Sequence, residues 1–264
     1  MGYVEGTHVD LGHALVTMIE PTHDPHDLAE YNRWYEHDHA YSGVMSGPGA
    51  FSFGRFVATR PLKDLRFPAA STVADPLDNG SFIAIYFILA GSVDEHFAWS
   101  FGAMPTLTEQ GRMNPNRAHV FTSCTDFAGS VNRGDNPVPA HVALDHSYPG
   151  LAMVWHDRAG DATADELDRW LRESYYPKIL DGSPIAQVLT FAPRDFPTMP
   201  GSGVGVGEKV VSACFLDCDP RDAWDEHVRP MEDAVAASGL GTVGLAAAFI
   251  PVEAGTNRYL DELW

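Results

Sequence analysis

The sequence predicts an α+β fold in which two ferredoxin-like β-α-β-β-α-β repeats pack sheet to sheet as an intramolecular, pseudo-dimeric α/β barrel. Three observations predict it. Strand-like and helix-like segments follow the order β-α-β-β-α-β twice along the 264 residues. A helix–turn–strand segment at 24–57 has a degenerate copy 136 positions later (Glu30 to Glu166). Each repeat leaves one face of its sheet open, and packing the two open faces together buries both.

The first repeat is predicted over 13–128. Its first strand, 13–20, is apolar and rich in β-branched residues, and Asp24 is suited to cap the helix that follows. Three glycines and a proline within 42–49 end that helix. The later elements are a strand at 50–58, a Pro-rich surface loop at 60–80, a strand at 81–90, a helix from 92 or 94 to 110 and a strand at 118–127. The strand at 81–90 is apolar on both faces, as expected where both faces are covered.

A linker at 129–147, which opens with a run rich in Gly and Pro, separates the repeats. The second repeat, 148–252, is predicted as strands at 150–156, 185–192, 209–216 and 242–251 with helices at 163–180 and 220–237, and 253–264 form a tail. The glycine-rich run at 201–207 is followed by a strand rather than by a helix N-terminus. It therefore does not predict a phosphate-binding loop.

Comparison of the two helix–turn–strand copies shows which residues are kept. His39 lines up with Tyr175, whereas five other positions are identical. The identical positions are Glu30, Arg33, Trp34, Pro48 and Ala50, which match Glu166, Arg169, Trp170, Pro184 and Ala186. We infer that the scaffold is shared, that the two pockets of the barrel differ, and that the pocket of the first repeat is the active one.

Composition limits the classes of partner. Seventeen Lys and Arg against 36 Asp and Glu give a formal charge of -19, so the surface repels nucleic acid and anionic lipid. No run of about 18 apolar residues predicts a membrane span, and no signal peptide is visible. Three cysteines without a framework indicate free thiols in a reducing cytoplasm.

The segment Asn-Arg-Trp-Tyr-Glu-His-Asp-His at 32–39, followed by Gly-Pro-Gly-Ala at 47–50 and by Arg55-Phe56, resembles EthD-like members of the dimeric α/β-barrel superfamily. The resemblance implies a fused form of a barrel that usually arises by dimerisation, so pairing of two fused barrels is a further expectation. It also implies a broad range of chemistry. The range covers cofactor-free cyclases, lyases and monooxygenases on aromatic or polyketide-like compounds, and haem-using oxidases, decarboxylases and regulators.

The candidate catalytic residues are His39, Tyr175 and Arg55. His39 shares a helix face with Leu28 and Tyr35 and is suited to transfer protons near neutral pH. Tyr175 and Arg55 are candidates to stabilise a developing oxyanion. The alternatives are a structural histidine, an aromatic ring that only packs, and an arginine held in an ion pair. The candidate substrate-binding residues are Tyr35, Tyr86, Phe53 and Trp155.

Six histidines among the first 39 residues raise the question of a metal, but neighbouring helix residues point about 100° apart and do not converge on one ion. We therefore expect no metal and no cofactor, while His39 leaves an axial haem ligand open. The predicted function is a cofactor-independent lyase, cyclase or isomerase. Its substrate is a small hydrophobic, carbonyl-bearing, aromatic or polyketide-like compound. The alternatives are a haem- or oxygen-dependent oxidoreductase on the same barrel and a non-catalytic small-molecule binding protein.

Overall fold

A computed structural model describes residues 9–135 and 137–264. The eight strands are Leu11–Pro21 (β1), Ala50–Val57 (β2), Phe82–Leu89 (β3), Arg117–Asn132 (β4), Gly150–Arg158 (β5), Ile185–Arg194 (β6), Lys209–Leu216 (β7) and Gly241–Pro251 (β8). They close into a barrel in the order β1-β3-β2-β8-β5-β7-β6-β4, with antiparallel pairing throughout. The predicted fold of two fused ferredoxin-like repeats is confirmed.

The α-helices are Pro25–Trp34 (α1), Arg60–Lys63 (α2), Val93–Glu109 (α3), Ala164–Trp170 (α4), Tyr176–Leu180 (α5), Pro220–Ala223 (α6) and Met231–Ser238 (α7). Four five-residue π-helical segments continue or join them, at Tyr35–His39, Tyr41–Met45, Leu171–Tyr175 and Trp224–Val228. Short 3-10 turns lie at Ala140–Val142 and Leu260–Glu262. Within the described residues, none of the helices has the length and apolar character needed to cross a membrane.

The two repeats join edge to edge, and the two joints differ. β4 and β6 pair along a long ladder from Cys124–Arg194 to Asn132–Gln187. β2 and β8 pair only at Phe56–Pro251 and Val57–Ile250. We call this short second joint the β2–β8 seam.

Both faces of the strands are buried, as the apolar strand at 81–90 predicts. Ile83, Ile85 and Phe87 face the shared core of the barrel, whereas Phe82 and Tyr86 pack with the helix layer of the first repeat. The barrel interior is thus a filled core, and any open site must lie at a strand edge or under a helix.

Contacts between the repeats make two segments differ from the predictions. β4 runs to Asn132, into the predicted linker, because its second half pairs with β6 of the other repeat. The loop at 60–80 is not a plain surface excursion: Phe67 is buried and exchanges backbone hydrogen bonds of 3.3 and 2.7 Å with Ala246 of β8. Contacts between repeats, which local composition does not show, account for both differences.

Candidate functional site

The helix that carries His39 changes its geometry at Trp34. Asp24 caps α1 by accepting from the backbone N–H groups of His26 and Asp27, at 2.9 and 3.0 Å. After Trp34 the chain continues as a π-helix, whose i→i+5 bonds bring residues five apart onto one side. The imidazole of His39 therefore stacks on the indole of Trp34, with 4.3 Å between ring centroids.

His39 is partly buried, and its ring nitrogens have no hydrogen-bond partner among the described residues. Burial, together with the charges of Arg117 and His119, lowers the pKa of His39 to about 4. The imidazole is thus neutral at physiological pH. A Cβ atom added at Gly43 would lie 3.3 Å from the ring, so the glycine allows the close approach of the two chain segments.

Tyr35, Tyr86 and Phe53 form one aromatic group beside His39. The hydroxyls of Tyr35 and Tyr86 are hydrogen-bonded at 2.7 Å, and Phe53 stacks on Tyr86 with 4.7 Å between centroids. Burial raises the pKa of both tyrosines. The two phenols are therefore neutral and satisfy each other, and neither hydroxyl is presented to an open cavity.

Arg55 has the ion-paired arrangement that the sequence left as one of two alternatives. Its Nη1 donates to Asn32 Oδ1 at 2.7 Å and to Glu36 Oε1 at 3.0 Å. Its guanidinium lies 4.6 Å from the centroid of the Tyr35 ring and 4.4 Å from that of Phe82. The positive charge of Arg55 is thus balanced by Glu36 inside the protein. Arg55 also forms part of the wall of a cavity at the β2–β8 seam.

A cavity of about 510 Å³ lies at the β2–β8 seam, and we call it the seam cavity. Arg55 and Phe53 line it, whereas His39, Tyr35 and Tyr86 do not. The other walls come from the segment 143–149, which folds back over β2, and from Phe56, Phe215 and Val252. The sequence gives no local signal for this cavity, because segments far apart in the chain build it.

In the second repeat the structure separates the candidate residues. Tyr175 stacks on Trp170 with 5.2 Å between centroids, and burial raises its pKa. Trp155, predicted to bind substrate, is instead fully buried in the barrel core, 5.4 Å from Phe121 between centroids. The next residue, His156, faces the helix layer, where its Nε2 is hydrogen-bonded to the hydroxyl of Tyr176 at 3.0 Å.

Within the described part of the chain, one group of side chains has ligand atoms close enough together to hold a metal ion. Asp24, His26 and Asp27 make up this group at the start of α1. Asp24 and His26 are exposed, and Asp24 Oδ1 already caps the helix. The arrangement has a complete explanation as a helix cap.

No family model and no curated protein matches the chain. Several solved structures share its fold at low sequence identity. A dye-decolorizing peroxidase from Bacteroides thetaiotaomicron is 9% identical with a TM-score of 0.53, covering 98% of this chain and 97% of that one. A variant of DypB from Rhodococcus jostii in complex with heme is 9% identical with a TM-score of 0.52, over 96% and 95%. An anthrone oxidase-like protein is 9% identical with a TM-score of 0.50, over 94% and 95%.

These similarities support the dimeric α/β-barrel fold and correct two predictions. The cofactor-independent lyase, cyclase or isomerase is wrong, because the proteins that share the fold over nearly the whole chain are named as peroxidases and as an oxidase-like protein. The expectation of no cofactor is wrong for the same reason, since one of them is a complex with heme.

Proposed function

We propose that the protein is an oxidoreductase that uses oxygen or peroxide to oxidise a small aromatic compound, with haem inside the seam cavity and the substrate at its exposed rim. The seam cavity is the observation that carries the proposal, and the fold shared with peroxidases and an oxidase-like protein supports the class of reaction.

The seam cavity suits a planar aromatic molecule. Its volume of about 510 Å³ lies within the range usual for small-molecule sites. Phe53, Phe56 and Phe215 give it apolar walls, and exposed Tyr41 stands among its lining residues. Aromatic walls of this kind bind a planar ring by stacking and exclude water around it.

The residues of the seam cavity fit haem. Haem needs an axial ligand with a free lone pair and an apolar chamber. His146 lines the cavity at an exposed position, where its ring centroid lies 4.3 Å from that of Tyr148 and its ring nitrogens are open to a ligand. His146 would thus hold the iron, with the phenylalanine walls against the macrocycle. Among the residues that line the cavity, Arg55 is the one cation, and it is already paired with Glu36. The carboxylate groups of haem would therefore be solvated by water rather than paired with a protein cation.

When bound, haem would supply one-electron oxidation driven by peroxide or oxygen. The chain itself would bind and orient the substrate and move its proton. Asp145 lines the cavity and accepts one hydrogen bond, from Ser52 Oγ at 3.2 Å. Its second carboxylate oxygen is suited to accept the proton that a phenol loses on oxidation. Burial raises the pKa of Tyr148, which keeps its hydroxyl available as a neutral donor.

The test is oxidation of a panel of phenols by hydrogen peroxide or oxygen after incubation with haemin. Ala254 lines the seam cavity and is exposed, so Ala254→Trp would fill the cavity without disturbing the core. The matched control is Ala237→Trp on the exposed face of α7. We expect Ala254→Trp to lower the rate on the order of tenfold or more, and Ala237→Trp to leave it unchanged. Binding without turnover would overturn the oxidoreductase and favour a carrier.

Several finer predictions remain proposals alongside this one. They are membership of the EthD-like group, pairing of two fused barrels, a cytoplasmic location and the division into 13–128 and 148–252. A proton-transferring role of His39 and an oxyanion-stabilising role of Tyr175 also remain proposals. His39 lies outside the seam cavity, so such a role would belong to a separate site.

A further inference from the structure

Two basic side chains, Arg117 and His39, lie against one indole in the first repeat, and a third, His119, neighbours Arg117 on β4. Arg117 and His119 lie two residues apart on β4 and thus share a face of the sheet. The Arg117 guanidinium lies 4.6 Å from the centroid of the Trp34 ring, on which His39 also stacks at 4.3 Å. We call Arg117, His119 and His39 the basic cluster. Because the chain has a formal charge of -19, this grouping of basic side chains calls for a structural or functional explanation.

The basic cluster has no counter-ion within the described part of the chain. Arg117 is half-buried, forms no ion pair there, and donates from Nη1 to the backbone carbonyl of Asn114. Asp38, on the same helix as His39, is already engaged. It accepts from Arg112 Nε at 2.9 Å and from Ser42 Oγ at 2.7 Å.

The remaining donors of the basic cluster are free. His119 uses Nδ1 in a 2.7 Å hydrogen bond with Thr122 Oγ1, and its Nε2 has no partner among the described residues. Neither ring nitrogen of His39 is engaged there. Stacking on Trp34 stabilises the Arg117 cation but does not neutralise it. A small anion would accept hydrogen bonds from these donors and balance the charge of Arg117.

Electrostatics point the same way. Burial and the charge of Arg117 lower the pKa of His39, and they lower the pKa of His119 as well. The cluster thus disfavours any further positive charge, and a bound anion would remove that penalty. This argument adds to the geometry, which brings Arg117 and His39 to one indole and His119 to the same face of β4 as Arg117.

We propose that Arg117, His119 and His39 form a binding site for a small oxyanion, a carboxylate or a phosphate group. Arg117 would supply the charge and a planar pair of donors, and the two imidazoles would add single hydrogen bonds. The site lies apart from the seam cavity, and the proposal goes beyond the proposed function.

The test is calorimetric titration of the purified protein with benzoate and with inorganic phosphate, in a buffer free of other oxyanions. The histidine Cε1 resonances of His39 and His119 are followed by NMR in the same titration. We expect saturable binding of at least one probe, with movement of both resonances. Benzoate binding alone would identify a carboxylate site and phosphate binding alone a phosphate site.

Two variants and one control make the titration specific. Arg117→Met is expected to weaken binding on the order of tenfold or more, and His119→Gln to weaken it less. The His119 side chain is exposed overall, although its neighbours partly desolvate the ring, so His119→Gln keeps the test valid if Arg117→Met fails to fold. Arg169→Met removes the same charge from an exposed position of the second repeat and should bind like the wild type. Absence of saturable binding, or equal weakening in Arg117→Met and Arg169→Met, would overturn the proposal.

Discussion

The rings of Trp34 and His39 stack with 4.3 Å between centroids and 19° between planes, and Trp170 and Tyr175 repeat this relationship at 5.2 Å and 11°. Both pairs are five residues apart and fall in π-helical segments at equivalent positions of the two repeats. The π-helix is therefore an inherited feature of the scaffold. The residue stacked on the tryptophan is what has changed, from an imidazole in one repeat to a phenol in the other.

The stacking role of Tyr175 can be separated from any role of its hydroxyl. Tyr175→Phe keeps the ring on Trp170 and should change the free energy of unfolding by no more than about 0.5 kcal/mol. Tyr175→Ala removes a buried ring and should cost about 3 to 5 kcal/mol. Urea unfolding measures both. A similar loss in the two variants would show that the hydroxyl, not the ring, supplies the stability.

Stability should fall in mild acid because of two histidines held neutral by burial. The pKa of His39 is lowered to about 4 and that of His156 to about 3, below the ordinary value of 6.5. Between pH 6.5 and 4 the unfolded chain binds more protons than the folded protein, so stability rises with pH across this window. Each group contributes about 1.4 kcal/mol per pH unit there.

The measurement is urea unfolding at several pH values between about 5 and 7, for the wild type and for His39→Phe. Removal of one of the two groups should lower the slope of stability against pH, so that the loss between pH 6.5 and 5 is about 2 kcal/mol smaller. Parallel curves for the two proteins would contradict a neutral, buried His39.

Arg55 and Glu36 should behave as a coupled pair. Arg55→Met leaves the nearly buried Glu36 carboxylate with the backbone N–H of Gly255, at 2.7 Å, as its one described donor. We expect a loss of about 3 to 5 kcal/mol, much of it regained in the double variant Arg55→Met with Glu36→Gln. A double-mutant cycle by urea unfolding gives the coupling energy. Arg55→Lys should not restore stability, since an ammonium cannot lie flat between the Tyr35 and Phe82 rings. Effects of the two single substitutions that simply add in the double variant would refute the coupling.

Glu20 should matter more to stability than its cationic neighbour Lys63. Glu20 Oε2 accepts from the backbone N–H groups of Gly80 and Ser81, both at 2.7 Å, whereas Lys63 Nζ lies 3.7 Å from Glu20 without a hydrogen bond. Burial lowers the pKa of Lys63 to about 8. Glu20→Ala should cost about 3 to 5 kcal/mol and Lys63→Met about 1 kcal/mol or less. Thermal and urea unfolding rank the two, and the reverse order would be inconsistent with this network.

The sequence predicted the elements well because their signals are local. The strand at 209–216 coincides with β7, whereas the first helix continues as a π-helix to Met45, into the Gly- and Pro-rich segment predicted to end it. The end of β4 was missed, because residues up to Asn132 are strand through pairing with β6 rather than through their own composition. Pairing across the repeats is a long-range effect that a local pattern does not contain.

The site was only partly predictable for the same reason. Arg55 and Phe53 were identified as site residues, and both line the seam cavity. His146 and Tyr148 were missed, because they carry no motif and reach the cavity through a linker that folds back over β2. Trp155 was assigned to a pocket because a strand buried on both faces does not reveal which face is the core.

The most direct test of the central claim is an absorbance titration of haemin into the wild type, His146→Ala and His141→Ala. His141 belongs to the same linker but does not line the seam cavity, which makes it the matched control. We predict a saturable Soret band for the wild type and His141→Ala, and an altered band with affinity lower by about tenfold or more for His146→Ala. A wild type that gives no saturable Soret change, or three identical titrations, would contradict the assignment of the seam cavity as the haem-binding site of an oxidoreductase.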